Sequence, residues 1–215
     1  GDLLTALTTY PGLSDVTTLS LEHAGDPRRI VGVDAAQLEE NLERLRQDIR
    51  GLLTQSDSTS EHLSELQRGV IPGQLAFFLV ALSVHGQEPV DVRYFDLDAS
   101  GAVQYLDDAD IARVEGAGAT ARRLNRAWDS PDFSPAFSNM ELTFRPRGQA
   151  AAPVRTHRHL AANLMDAPLG KDPRVLRHLE TKTRIAAMWL KVSRGPRNAT
   201  LIGCSSARIA LMISR

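Results

Sequence analysis

The sequence predicts an α+β fold, an antiparallel sheet of hairpins packed against several helices. Three observations predict it. Val90, Val92 and Tyr94 alternate with Asp91, Arg93 and Phe95. Asp98-Ala99-Ser100-Gly101 then supplies a turn, and Val103 and Tyr105 continue the alternation on the way back. Met140, Leu142 and Phe144 alternate with Glu141, Thr143 and Arg145, and Arg155 to Leu164 returns as a partner strand. Leu38, Leu42, Leu45, Ile49 and Leu52 recur at steps of four, three, four and three, which is one apolar helical stripe. A chain of 215 residues suits one domain over 1–215, helical at 34–85 and 172–213, with the hairpin at 90–106 and the strand pair at 139–164.

Taken in order, Leu3 to Tyr10 reads as a short helix ended by Pro11-Gly12. Val16 to Leu21 is β-branched and reads as a strand. Gly25-Asp26-Pro27 is a turn, and Arg29 to Val33 a second short strand. Asp34 is an N-cap with Gln37 at the capping-box position, so a helix runs over 34–53 with its leucine stripe toward the core. The same stripe also suits a partner protein. A polar loop over 55–60 and a short helix over 60–68 follow. Pro72 opens a helix whose body, Leu75 to Val84, is apolar on every side and therefore central. Asp107 or Asp108 caps a helix through Val114, which Gly116 and Gly118 weaken. The stretch 129–135 is a proline-bearing loop. Asp172-Pro173 starts a helix with Val175, Leu176, Leu179 and Ile185, broken at Gly195-Pro196. Residues 200–213 fit a helix or a buried strand equally.

Composition removes several function classes. No apolar run nears the ~20 residues that span a bilayer. The single cysteine rules out an internal disulfide framework and a multi-cysteine zinc site. Nucleophile-elbow, P-loop and dinucleotide fingerprints are absent. Cys204, Ser205 and Ser206 offer nucleophiles, but no motif surrounds them. Arginine outnumbers lysine 22 to 3 beside abundant alanine, as in a GC-rich bacterial genome. The chain starts at glycine, so an upstream signal or domain removed from it fits, and the compartment stays open.

The net charge of −1 hides an asymmetry. Residues 1–140 hold 22 acids and 11 bases, whereas residues 141–215 hold 4 acids and 14 bases. The basic third predicts weak, salt-sensitive binding of polyanions through Arg155, Arg158, Arg174 and Arg177. A solvated basic face is the plainer reading.

Two stretches carry candidate chemistry. In Asp96 to Asp107, side-chain oxygens of Asp96, Asp98, Ser100 and Gln104 fall at positions 1, 3, 5 and 9, Gly101 at 6 and Asp107 at 12. These twelve residues resemble an EF-hand calcium loop, which implies a calcium-stabilised module. Asp107 stands where that loop carries Glu, and the entering segment is a strand pattern rather than a helix. The alternative is a hairpin turn in which Asp and Ser bond the backbone and Gly101 takes positive φ. Phe95-Asp96-Leu97-Asp98-Ala99-Ser100 also resembles the first motif of haloacid-dehalogenase-like phosphatases. That resemblance implies Asp96 as nucleophile, Asp98 as acid/base, and a helix after the strand.

His157 and His159 share one strand face, and two imidazoles at that spacing can bind one transition metal. Asp129, Asp166 or His178 would supply a third ligand to a metal-dependent hydrolase. With Arg155 and Arg158 flanking them, the alternative is a polar, partly exposed sheet face. The leading expectation is a non-catalytic binding or interaction domain for a protein or small-molecule ligand, with no cofactor firmly implied and calcium the nearest candidate.

Overall fold

The computed structural model describes residues 3–20, 23–54, 73–121, 135–162 and 170–182. They form an α+β fold with five α-helices and a five-stranded sheet among the described residues. The helices are α1 (Leu3–Thr9), α2 (Ala35–Thr54), α3 (Gly73–Val84), α4 (Asp108–Ala121) and α5 (Arg174–Glu180). The strands are β1 (Asp15–Ser20), β2 (Gln87–Leu97), β3 (Val103–Tyr105), β4 (Asn139–Pro146) and β5 (Arg155–Ala161). No helix among the described residues is long and apolar enough to cross a membrane.

The strand order is β1-β5-β4-β2-β3. β2 pairs antiparallel with β3 and with β4, and β4 pairs antiparallel with β5. β1 breaks the antiparallel expectation by lying parallel to β5, with Val16 opposite His157 and Thr18 opposite His159. The sheet is therefore mixed. Hydrophobic alternation marks which face a residue takes but says nothing of strand direction, and β1 and β5 are far apart in the chain.

One sheet face carries the larger core. Val16, Tyr94, Met140, Leu142 and Phe144 pack with Leu3 and Leu7 of α1 and Leu75, Phe78, Ala81 and Leu82 of α3. The other face carries a smaller cluster of Phe95, Leu97 and Leu160, with Leu19, Val103 and Val175 of α5 against it.

Three expectations change. Pro27–Ile30 is a 3-10 turn and not part of a strand, because Asp26 accepts from the Arg28 amide at 2.9 Å and Pro27 pre-sets a helical φ. α3 is buried along one side only, since Leu79 and Val84 are exposed. α2 begins as predicted, with Asp34 accepting from the Gln37 amide at 2.8 Å. Its described leucines, Leu38, Leu42 and Leu45, do not enter the core, however. No α2 residue belongs to either cluster among the described residues, Leu38 and Leu45 are half-buried, and Leu42 is 41% exposed. Amphipathicity selects a helix face without selecting what that face meets. The expected helix at 60–68, the loops at 55–60 and 129–135, the helix beyond Glu180, and residues 200–213 lie outside the described residues, apart from the start of α5 and its exit through Lys182.

Candidate functional site

Alternation along β5 sends His157 and His159 to the larger core and Arg158 to the opposite face. The histidine face is fully buried, at 0% and 1% exposure, and is not the partly exposed surface its flanking arginines suggest. Thr18 stands beside both rings because β1 runs parallel in this register. Its hydroxyl lies 2.9 Å from His157 Nε2 and 3.1 Å from His159 Nδ1. A hydroxyl that donates one proton and accepts another satisfies two neutral imidazoles of opposite roles. Phe78 meets His157 edge-on with ring centroids 4.4 Å apart and lies 5.2 Å from His159. Burial pushes the His157 pKa well down, with the His159 charge adding to it. His23 is pushed down to about 4 by burial first and by His159 second.

One nitrogen of each ring, His157 Nε2 and His159 Nδ1, faces Thr18 Oγ1, and His157 Nδ1 is buried without a hydrogen-bond partner among the described residues. No group of three His, Cys, Asp or Glu side chains able to hold a metal occurs among the described residues. His178 is on the other side of the sheet from His157, beside Arg158. Asp129, Asp166, Cys204, Ser205 and Ser206 lie outside the described residues.

The Asp96–Asp107 stretch is a hairpin. Phe95, Asp96 and Leu97 pair with Tyr105, Gln104 and Val103. Asp98 ties the turn, its Oδ1 accepting from the Ser100 amide (2.8 Å), the Ser100 hydroxyl (2.6 Å) and the Ala102 amide (2.9 Å). Gln104 reaches Oδ2 at 3.4 Å. The Ser100 hydroxyl above all, then the Ala102 amide, holds the Asp98 carboxyl below its ordinary range. Asp96 accepts from Arg174 of α5 at 3.1 Å on both oxygens. Asp107 caps α4, accepting from the Asp110 amide at 2.8 Å. The oxygens of the calcium pattern thus serve three different structural ties. Where the phosphatase resemblance implies a helix after Asp96, the chain turns back as β3.

α5 clamps this turn. Arg177 donates to the Ala99 carbonyl, and His178 Nδ1 lies 2.9 Å from the Gly101 carbonyl. Gly101 has φ +86°, and a Cβ there would run into the His178 nitrogen and stand 2.8 Å from the Arg177 carbonyl carbon. Only glycine meets both demands.

The four arginines expected to bind polyanions do not form one surface. Arg155 lies on the core-facing side, donating to the Leu13 carbonyl at 2.6 Å and standing 5.0 Å over the Phe144 ring. Arg158 lies on the other face and pairs with Glu141 at 2.6 Å. Arg174 is held by Asp96 and Asp172, and Arg177 by Ala99.

The polar face of the sheet holds a constellation that the alternating pattern alone did not single out. Arg93, Glu141 and Arg158 stand in one cross-strand row. Glu141 is 3% exposed. Its Oε1 accepts from Arg93 at 2.6 Å, and its Oε2 from Arg158 at 2.6 Å and from the Tyr105 hydroxyl at 2.8 Å. Burial would raise this carboxyl, but the Tyr105 hydroxyl and the two guanidiniums outweigh it and hold it below the usual carboxylate range. The Arg93 guanidinium lies 3.8 Å over the Tyr105 ring. A carboxylate set between apolar residues of a strand, with arginines at the matching positions of two other strands, was the available signal. Only the register joins them.

No protein-family model matches the chain, and neither a curated protein nor a solved structure matches it.

Proposed function

We propose that this chain is a non-catalytic binding domain that receives its ligand on the polar sheet face around Arg93, Tyr105 and Arg158. The observation that supports this reading is the buried Glu141 carboxylate, held by three donors while Arg93 stays 48% and Tyr105 40% exposed. Burying a charge costs free energy that an apolar residue would not. Here the buried charge fixes a guanidinium on an aromatic ring before any ligand arrives. Such fixing lowers the ordering cost of binding, and arginine and tyrosine are the types that carry most energy at interfaces.

The test is a fragment screen read by proton–nitrogen NMR on the labelled chain. Ligands should shift the Arg93 side chain and the Tyr105 amide, and Tyr105→Ala should weaken them by about tenfold. Shifts confined to α2, around Leu38, Leu42 and Leu45, would move the binding surface to that helix and refute the polar-face reading.

A further inference from the structure

The polar face has a second cluster next to Glu141. His178 is 4% exposed, and its Nδ1 faces the Gly101 carbonyl. A carbonyl only accepts, so Nδ1 carries the proton and Nε2 of the neutral ring offers a lone pair. That Nε2 is buried and has no hydrogen-bond partner among the described residues. The Arg158 Nε–H is likewise buried without one, although its NH2 holds Glu141. Lys182, one turn beyond His178, is half-buried and close enough to Arg158 and Glu141 to feel both charges. The local balance sets Arg93, Arg158 and Lys182 against Glu141 and Asp15, and both Glu141 oxygens are already taken.

We propose that Arg158 Nε, Lys182 and His178 Nε2 form a binding site for a hydrogen-phosphate group. The proposal rests on the polar-face reading and names its ligand class. Two donors and surplus positive charge ask for an oxyanion. The lone pair on His178 asks in addition for an acidic O–H on that anion. Inorganic phosphate carries such a hydroxyl at neutral pH and sulfate does not. Sulfate would leave a buried acceptor facing an oxygen lone pair, whereas phosphate donates to it.

Phosphate and sulfate are titrated separately into the labelled full chain at matched ionic strength. Saturable phosphate shifts are expected at Arg158 Nε–H, His178 and Lys182, with sulfate weaker by roughly tenfold or more. His178→Asn keeps an N–H for the Gly101 carbonyl and removes the Nε2 lone pair. It should bring the two anions within about twofold of each other. Lys182→Gln, at the half-buried helix exit, should weaken both by roughly tenfold and covers the case in which the histidine variant fails to fold. Equal binding of the two anions by the unaltered chain overturns the proposal. So does an absence of saturable shifts, or shifts scattered over exposed arginines such as Arg44 and Arg46. If fragments shift Arg93 and Tyr105 while phosphate shifts nothing, the phosphate site alone falls. If no ligand moves any polar-face resonance, both readings fall.

Discussion

His157 shows how much one side chain's environment decides. Fully buried beside Phe78 and hydrogen-bonded to Thr18, it has no carboxylate partner among the described residues, and burial holds its pKa well below the ordinary value. The unfolded chain therefore binds protons below about pH 6.5 that the folded chain refuses. Stability is full above that pH and falls as the medium is acidified, by about 1.4 kcal/mol per pH unit for each such histidine. Urea unfolding at stepped pH should show this slope, and His157→Gln should flatten it by about one histidine's share. An unchanged slope would mean that His157 does not drive the acid loss. Glu141 works in the same direction at lower pH. Its carboxyl is depressed in the fold, so its contribution is present above the ordinary carboxylate pKa and is lost as pH falls through the folded value. Glu141→Gln should cost on the order of 2 kcal/mol, less than a wholly buried pair because Arg93 is half in water. Gly101→Ala should cost roughly 2–4 kcal/mol, from the strained φ and the collision with α5 together. Gly148→Ala shares the positive φ but meets nothing within 4 Å, so about 1 kcal/mol is expected there. Equal losses at the two glycines would remove the packing role assigned to Gly101.

Among the elements, α3 carries the main core, as its apolar sequence suggests, whereas the described leucines of α2 stay outside it. Leu82 of α3 is 0% exposed within the main core, and Leu82→Ala should cost about 2–5 kcal/mol. Leu42 of α2 is 41% exposed, so Leu42→Ala should cost less than about 1 kcal/mol. Chemical denaturation of the two variants settles the order, and a larger loss at Leu42 would contradict this placement of α2. The β2–β3 turn is an element held from two sides, by Asp98 within and by α5 without. Asp98→Ala should lower the melting temperature by a few degrees, equally in calcium and in chelator. A stabilisation by calcium that the variant loses would instead assign Asp98 to a cation.

At the scale of the whole molecule, one sheet separates two kinds of surface. The side covered by α1 and α3 is apolar and encloses the histidines, and the side partly covered by α5 keeps a charged row. β5 serves both, because His157, Arg158 and His159 point alternately across it. A single register slip along β5 would bury Arg158 and expose the histidines, so this strand ties the fold to the candidate site.

Local periodicity by itself determined the α+β class, the 90–106 hairpin, the Met140–Phe144 strand and the Asp34 cap. Each depends on residues a few positions apart, where side-chain direction follows from backbone geometry. It also placed His157 and His159 on one face and Arg158 on the other. Tertiary structure alone decided which face became the core, because an HxH pair flanked by arginines reads as surface until Phe78 closes over it. It alone set β1 parallel to β5, brought Thr18 between the two rings, and joined Arg93, Glu141, Arg158 and Tyr105 from four strands. The physical reason is common to all of these. A pattern repeats within one element, whereas a pairing between distant segments is chosen by the packing of the whole chain.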